Sequence, residues 1–546
     1  MAASLAVRIA AWHFWGTGAI ESEGAEYARI AENLRKGVGY VGIVTPGPEL
    51  MFPPLFPALI CVLSFITGSY TTAGRLVSLI LGSLLPLPAY GTASRLFNRR
   101  SGLVAATLVL LHPLLVNLSF TVATEGPYAT LLLSAVYIVV SALYRPSLSM
   151  WCLVGAAFGV AYLLRPEAVA PLLIAMLLAF TSTEGGPSIR FQRVAAALLL
   201  FLVFASLEVV FIYRNTGRLR IETKSAINSA FFLLALNRES TLERTHGNSP
   251  SRHEEAIKWA SSAIDGEMKR IGIFLRPEAE VVRDRVMPKD LFRVVAKGFR
   301  QNAPSLLENL SSRWLGAPFL PALALLGAVG RPWRRRQALG HLYFTLVPAT
   351  AIVATFAVLW VYPRYYFVLV PFLLIWAANG LVEISRWTKA SIAAGGWGWL
   401  RPRVMAWVVP ALLALGAILY PVKAIRSLYE FTEGSPARRV VKDVGLWVRQ
   451  QQSGPVVIMD RSTPLAFHAD ADFVYFPYCS GDLALRFLDA AKVDYVVLRR
   501  DERFTPYYEE WYAKGIPDRR ARLVYVSSGA DAGEIKVYRW RPPNSN

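Results

Sequence analysis

Glu21-Ser22-Glu23-Gly24-Ala25-Glu26-Tyr27-Ala28-Arg29-Ile30-Ala31-Glu32-Asn33-Leu34 is the stretch whose reading decides the fold. From Glu23 it reads as a helix that stops near Gly37 and Gly39. At about 100° per residue, Glu23, Glu26, Tyr27, Ile30 and Leu34 share one face, and Arg29, Glu32, Arg35 and Lys36 lie on the other. Two carboxyls and a phenol thus continue an apolar stripe. Acids at a helix N-terminus also complement the dipole, so position alone assigns no chemistry. The flanks say more. Ala2–Ile20 before it is apolar apart from Arg8 and His13, and Met51–Gly68 after it is apolar and proline-rich. A helix in that setting lies on a membrane surface and turns its stripe towards protein or lipid.

Working outward, apolar runs of spanning length recur at 75–95, 102–119, 127–144, 150–164, 168–182, 194–213, 314–330, 338–360, 365–384 and 404–420. With Ala2–Ile20, read as a retained first span, they predict an α-helical polytopic membrane protein of about 11 transmembrane helices. The composition agrees: 54% of the 546 residues are hydrophobic and 18% charged, against roughly 45–50% and 25% in soluble domains. That excludes a disordered chain and argues against a soluble enzyme.

Charge sets the orientation. The chain carries 58 Lys and Arg against 38 Asp and Glu, a net +20. Much of the excess sits in short loops, as at Arg95, Arg99-Arg100 and Arg331–Arg336. This is the positive-inside pattern of a membrane protein, and it speaks against a nucleic-acid partner. If 51–68 does not cross, the basic loops at 95–101, 145–149, 183–193, 331–337 and 385–403 all face the cytoplasm. The segments 21–74, 120–126, 165–167, 214–313 and 361–364 then face outside. Two units follow: a transmembrane unit over 1–424, with external loops at 21–74 and 214–313, and a non-cytoplasmic α/β domain over 425–546. The latter is expected from β-like runs at Val456–Asp460, Asp494–Leu498, Arg522–Ser527 and Ile535–Trp540, with helical patterns at Val440–Gln451 and Asp482–Lys492 between them.

The isolated acids on the external side are the candidates for chemistry. Glu125 and Glu167 sit at the entries to two spans, where an acid faces a cavity or a partner or caps a helix. Arg165 is positioned to pair with Glu167. Arg364, beside Tyr365 at a span end, suits a phosphate at headgroup level or an interfacial anchor. Arg75 and Lys224 are weaker phosphate candidates. The three cysteines are far apart, the Asp470-Ala471-Asp472 triplet lies away from these acids, and no P-loop or HExxH is present. No cofactor is expected from the sequence, which leaves metal dependence open.

The ordered set of motifs resembles the polyprenyl-phosphate-dependent glycosyltransferases of the GT-C fold, above all glycosyltransferase family 39 with its protein O-mannosyltransferases and lipid A aminoarabinose transferases. The likeness is carried by Glu23–Leu34 with Gly37 and Gly39, Phe52-Pro53-Pro54-Leu55-Phe56-Pro57, Gly74-Arg75-Leu76-Val77-Ser78, Thr124-Glu125, Leu164-Arg165-Pro166-Glu167 and Pro363-Arg364-Tyr365. It covers roughly 1–420. It implies transfer of a sugar from a polyprenyl-phosphate donor to a lipid, glycan or protein acceptor at the outer surface of a bacterial inner membrane. It also implies a catalytic base at Glu23, a second acid at Glu125, and substrate contacts from Tyr27, Arg165, Glu167, Arg75, Lys224, Arg364 and Tyr365. The family shows Asp, often Asp-Glu, where this chain has Glu23-Gly24, so Glu21 and Glu26 stay open as alternative bases. A carrier or flippase for lipid-linked intermediates is the main rival. It would place polar groups near the membrane middle, whereas the acids here lie at one edge.

Overall fold

The computed structural model describes residues 1–16, 19–43, 47–182, 184–217, 219–223, 319–329, 335–356, 367–394, 406–419, 436–477, 481–500, 507–527 and 534–540, with positions 300 and 304. Helices dominate up to 419. They are α1 (Ala2–Trp15), α2 (Ser22–Arg35), α3 (Leu55–Thr67), α4 (Tyr70–Leu84), α5 (Pro86–Leu96), α6 (Arg99–Leu111), α7 (Pro113–Asn117), α8 (Glu125–Tyr144), α9 (Leu148–Tyr162), α10 (Val169–Ser182) and α11 (Pro187–Thr216). Then come α12 (Leu320–Val329), α13 (Arg335–Phe356), α14 (Val370–Ala394) and α15 (Ala406–Leu419). Among the described residues four runs are long and apolar enough to cross a membrane: Tyr70–Leu96, Glu125–Tyr144, Pro187–Thr216 and Phe367–Ala394.

Local chemistry sets the boundaries. The Ser69 hydroxyl accepts from the Thr72 amide and starts α4, right after Gly68 closes α3 in the left-handed region. Asn98 caps α6 by accepting from the amides of Arg100 and Ser101. The run expected to cross at 102–119 is instead two helices. Pro113 forces His112 into an extended conformation (φ −62°, ψ 118°) and ends α6. The Met51–Gly68 region holds only the 13-residue α3. At about 1.5 Å per residue it falls short of the ~30 Å hydrocarbon core.

Packing separates inside from outside. On α11, Leu198, Leu199, Leu202, Val203 and Leu207 are exposed, an apolar face suited to lipid. The interior side of α14 is buried from Val370 to Ser385. It is stitched by the Asn379 amide, which donates to the Gly327 carbonyl at 2.8 Å and accepts from the Ser101 hydroxyl at 2.9 Å. Arg8, a break in the first apolar run, is fully buried and donates to the hydroxyls of Ser4 (2.7 Å) and Ser119 (2.9 Å).

The bundle has two chemically distinct ends. At one, the Tyr144 hydroxyl donates to the Arg95 carbonyl and Arg193 donates to the Pro146 carbonyl. At the other lie Glu125 and Arg165. The 20 residues of α8 separate them, about 30 Å of helix.

Beyond the bundle, α16 (Pro436–Gln450), α17 (Pro464–Ala469), α18 (Gly481–Ala490) and α19 (Tyr508–Lys514) accompany a five-stranded sheet. Its strands are β1 (Val457–Met459), β2 (Asp472–Val474), β3 (Tyr495–Arg499), β4 (Ala521–Val526) and β5 (Ile535–Trp540), in the order β2-β1-β3-β5-β4. β2, β1 and β3 run parallel; β5 and β4 continue antiparallel. The chain reverses from one side of β1 to the other between β2 and β3. The carboxyl edge at such a reversal is where α/β sheets present their polar groups. Here that edge carries Asp460, Thr463, Tyr475 and Arg499, and it faces α2.

Candidate active site

The site begins with the entry to α2. Arg75 on α4 is buried and donates to the Ala19 carbonyl at 2.6 Å, which fixes the chain just before the helix. Glu21 is the extended N-cap, and Glu23 falls in the first turn. A Cβ on Gly24 would lie 2.7 Å from the Val122 carbonyl oxygen. The helix therefore presses on the loop before α8 closely enough to exclude an acid at 24. That is the physical reason for Glu23-Gly24 where the resemblance leads one to expect two acids.

Tyr27, one turn further, is buried. Its ring packs edge-on against Phe52 (5.0 Å) and Phe56 (5.1 Å), so the Phe52–Pro57 motif serves as its clasp. Its hydroxyl is hydrogen-bonded to Thr124. Burial, then the charge of Glu23, pushes the phenol well above its ordinary value, and Tyr27 stays neutral.

Around that phenol three distant segments converge. Glu125 opens α8 and is buried. Arg165, between α9 and the single turn Pro166–Ala168, lies 3.3 Å from Glu125 and 3.4 Å from Glu167. Its guanidinium also sits 5.6 Å from the centre of the Tyr128 ring. Burial alone would lower Arg165. Glu167, Glu125 and Glu23 outweigh it and hold the cation well above its ordinary value. Glu167 is 48% exposed and Glu125 only 3%, so the carboxylates form a gradient from water inward.

The remaining candidates fall elsewhere. Glu26 accepts from the Ile43 amide at 2.8 Å. A Cβ on Gly42 would lie 2.5 Å from Glu26 and 3.1 Å from Glu49, so these two buried acids flank one turn of the first loop. Glu21 is 2.5 Å from Arg438 of α16. Of the three first-loop acids offered as bases, Glu23 is the one whose charge reaches Arg165 and Tyr27. Arg75 braces the lead-in to α2. Lys224, Arg364 and Tyr365 lie outside the described residues.

Sequence reasoning passed over Tyr128, Glu49 and Tyr475. Tyr128 follows Glu125 by three residues, the spacing that puts two side chains on one helical face. Glu49 follows the triplet Pro46-Gly47-Pro48 in sequence and offers no such signal. Tyr475 directly follows the three-residue β2. Burial, then Glu26, Glu49 and Asp460, raises its phenol. Among the described residues no three His, Cys, Asp or Glu side chains are grouped as a metal ion would require.

Comparisons with known proteins bear on the fold that carries this site. Residues 52–235 match the family described as dolichyl-phosphate-mannose-protein mannosyltransferase, a segment that includes Glu125, Arg165 and Glu167 but not Glu23. No curated protein sequence matches the chain. Among solved structures, the oligosaccharyltransferase of Archaeoglobus fulgidus tethered with an acceptor peptide containing the NVT sequon is similar at a TM-score of 0.59 and 14% identity. That match covers 100% of this chain and 74% of that one. AglB of the same organism, in complex with an inhibitory peptide and a dolichol-phosphate, gives 0.56 and 13%, covering 91% and 69%. ArnT from Cupriavidus metallidurans bound to undecaprenyl phosphate gives 0.55 and 13%, covering 98% and 97%. The chain is thus a polytopic membrane protein of the GT-C fold. Over 52–235 its sequence is similar to the family described as dolichyl-phosphate-mannose-protein mannosyltransferase.

Proposed function

We propose that this protein is a membrane glycosyltransferase. It moves a sugar from a polyprenyl-phosphate-linked donor to a lipid, glycan or protein acceptor on the outer face of a bacterial inner membrane. The observation that carries this reading is the buried Arg165–Glu125 pair, with Glu23 near enough for its charge to act on Arg165, at the end of the bundle opposite the Arg95 and Arg193 end.

In this reading Glu23 takes the proton from the acceptor hydroxyl or amine. The freed electron pair attacks the anomeric carbon, the bond to the phosphate oxygen breaks, and the polyprenyl phosphate leaves. A direct displacement of this kind inverts the anomeric centre. Arg165 holds Glu125 in place and puts a fixed positive charge beside the neighbouring carboxylates. Neutral Tyr27 and the exposed Glu167 contact the substrate. Arg364, Tyr365 and Lys224 are proposed to receive the departing phosphate, and Arg75 to support the loop that carries Glu23. The names of the similar structures support the donor class, since two of them were solved with polyprenyl or dolichyl phosphate.

The test is turnover of a radiolabelled polyprenyl-phosphate sugar by purified protein. Glu23→Gln should lower acceptor-dependent transfer at least ~10²-fold with the fold intact, the scale of a lost general base. Full activity in Glu21→Gln, Glu23→Gln and Glu26→Gln alike would remove the first loop from the chemistry. Translocation of the donor without transfer would instead identify a carrier.

A further inference from the structure

Ser22 and Arg29 are seven residues apart, so they project from nearly the same side of α2. Along that side, where Ser22 is exposed and Arg29 partly buried, the helix meets α17 and the residues that flank it. The Thr463 hydroxyl, just past β1, donates to the Ser22 carbonyl at 3.0 Å. Arg29 pairs with Asp470 at 2.9 Å and sits 6.0 Å from the centre of the Phe467 ring. Arg438 pairs with Glu21 at 2.5 Å. Two of these bonds fall on the residues immediately before Glu23. They bridge positions more than 400 residues apart in sequence.

Glu23 lies about 100° around the helix from Ser22, and Tyr27 about 140°. A small rotation of α2 about its axis would therefore swing the Glu23 carboxylate past Arg165. The membrane side fixes the height of the helix, through Gly24 against Val122 and Tyr27 in its clasp. On the other side, Arg438 and Thr463 tie the first turn at Glu21 and Ser22.

We infer that Arg438 and Thr463 are positioning residues: the C-terminal α/β unit sets the rotation of α2, and with it the place of the Glu23 carboxylate. The inference rests on the glycosyl-transfer reading for its rate effect and is independent of it for its structural effect.

The experiment pairs amide hydrogen exchange with kinetics on the full-length protein. In the Arg438→Gln, Thr463→Val double variant, exchange at residues 22–28 should rise at least about tenfold as the first turn loosens. Transfer should fall in kcat by roughly 10–100-fold, the cost of a misplaced reacting group, with donor KM within about twofold. Arg438→Lys should keep most of the rate. The swap of Glu21→Arg with Arg438→Glu should recover rate relative to Arg438→Glu alone. Arg449→Gln, at an exposed position 4.0 Å from Asp470, should change neither readout. Unchanged exchange and kcat in the double variant would overturn the inference. So would a swap that recovers nothing, because the loss would then be general destabilisation. If exchange rises as expected but the wild-type protein transfers no sugar, the clamp stands and the assigned activity falls.

Discussion

The two sides of α2 are held by ion pairs of different kinds. On the membrane side, Arg165 and Glu125 are 9% and 3% exposed. On the outer side, Arg438 and Glu21 are 29% and 23% exposed, and Arg29 and Asp470 are 13% and 42%. A buried pair sits in a low dielectric, where each charge depends on its partner for solvation. A half-exposed pair is backed by water and contributes a fraction of a kcal/mol to about 1 kcal/mol. The inner contacts therefore define the chemical environment of Glu23, and the outer ones adjust where it points. The difference predicts different failures when each is broken.

The largest effect is expected at Arg165. Arg165→Met leaves Glu125 buried without its cation. Removing one partner of a buried pair costs about 3–5 kcal/mol, so thermal unfolding should shift strongly and transfer should be lost. Adding Glu125→Gln removes the stranded charge and should recover much of the stability but none of the activity. Arg165→Met with wild-type stability would mean that Glu125 has no need of this partner, and the contrast between the two sides would fail.

That inner site was partly legible beforehand, for reasons that differ residue by residue. Glu23, Glu125 and Glu167 could be read because acids in an apolar chain are conspicuous, and the Arg-rich loops put all three on one side. Their meeting at Arg165 needed the fold, since 125 and 165 are brought together by packing α8 against α9. The break at Pro113 was readable from the residue type, yet the surrounding run is apolar enough to pass for one span. β2 escaped because a three-residue strand has no periodicity to detect. The contacts of Arg29 were the clearest surprise. On a helical wheel it belongs to the polar face, and a polar face is expected to meet solvent. Nothing in the local sequence marks Asp470, 441 residues on, as its partner.

A smaller effect should separate the outer unit from the inner one by pH. His468, on α17, is pushed down to about 4 from its ordinary 6.5, by burial and then by Lys442 and Arg75. Well above pH 6.5 neither folded nor unfolded chain binds the proton, and stability is at its full value. As pH falls from 6.5 towards 4, the unfolded chain takes up the proton and the folded one does not. Stability therefore drops across that window, by at most about 3 kcal/mol for 2.5 pK units. His468→Phe should flatten the dependence in chemical or thermal unfolding. An unchanged slope in that variant would assign the acid sensitivity to other groups and leave the outer unit without its own pH signature.

The smallest effect is the most direct test of the comparison. Raising salt from about 0.1 M to about 1 M shortens the Debye length from ~10 Å to ~3 Å, which weakens charges that water can reach and spares those it cannot. Two amides report on the two sides. The Ala25 amide donates to the carbonyl of Glu21, the residue held by Arg438, at 2.7 Å. The Tyr128 amide donates to the carbonyl of Thr124, beside the buried Arg165 and Glu125 pair, at 2.8 Å. Losing up to about 1 kcal/mol from a half-exposed pair permits a rise of up to about fivefold in exchange at Ala25. Exchange at Tyr128 should change less than twofold. In the Arg438→Gln variant the Ala25 amide should already exchange fast at low salt and gain little more. Equal salt sensitivity at both amides would show that the two sides of α2 share one electrostatic environment, and the division of labour between them would have to be abandoned.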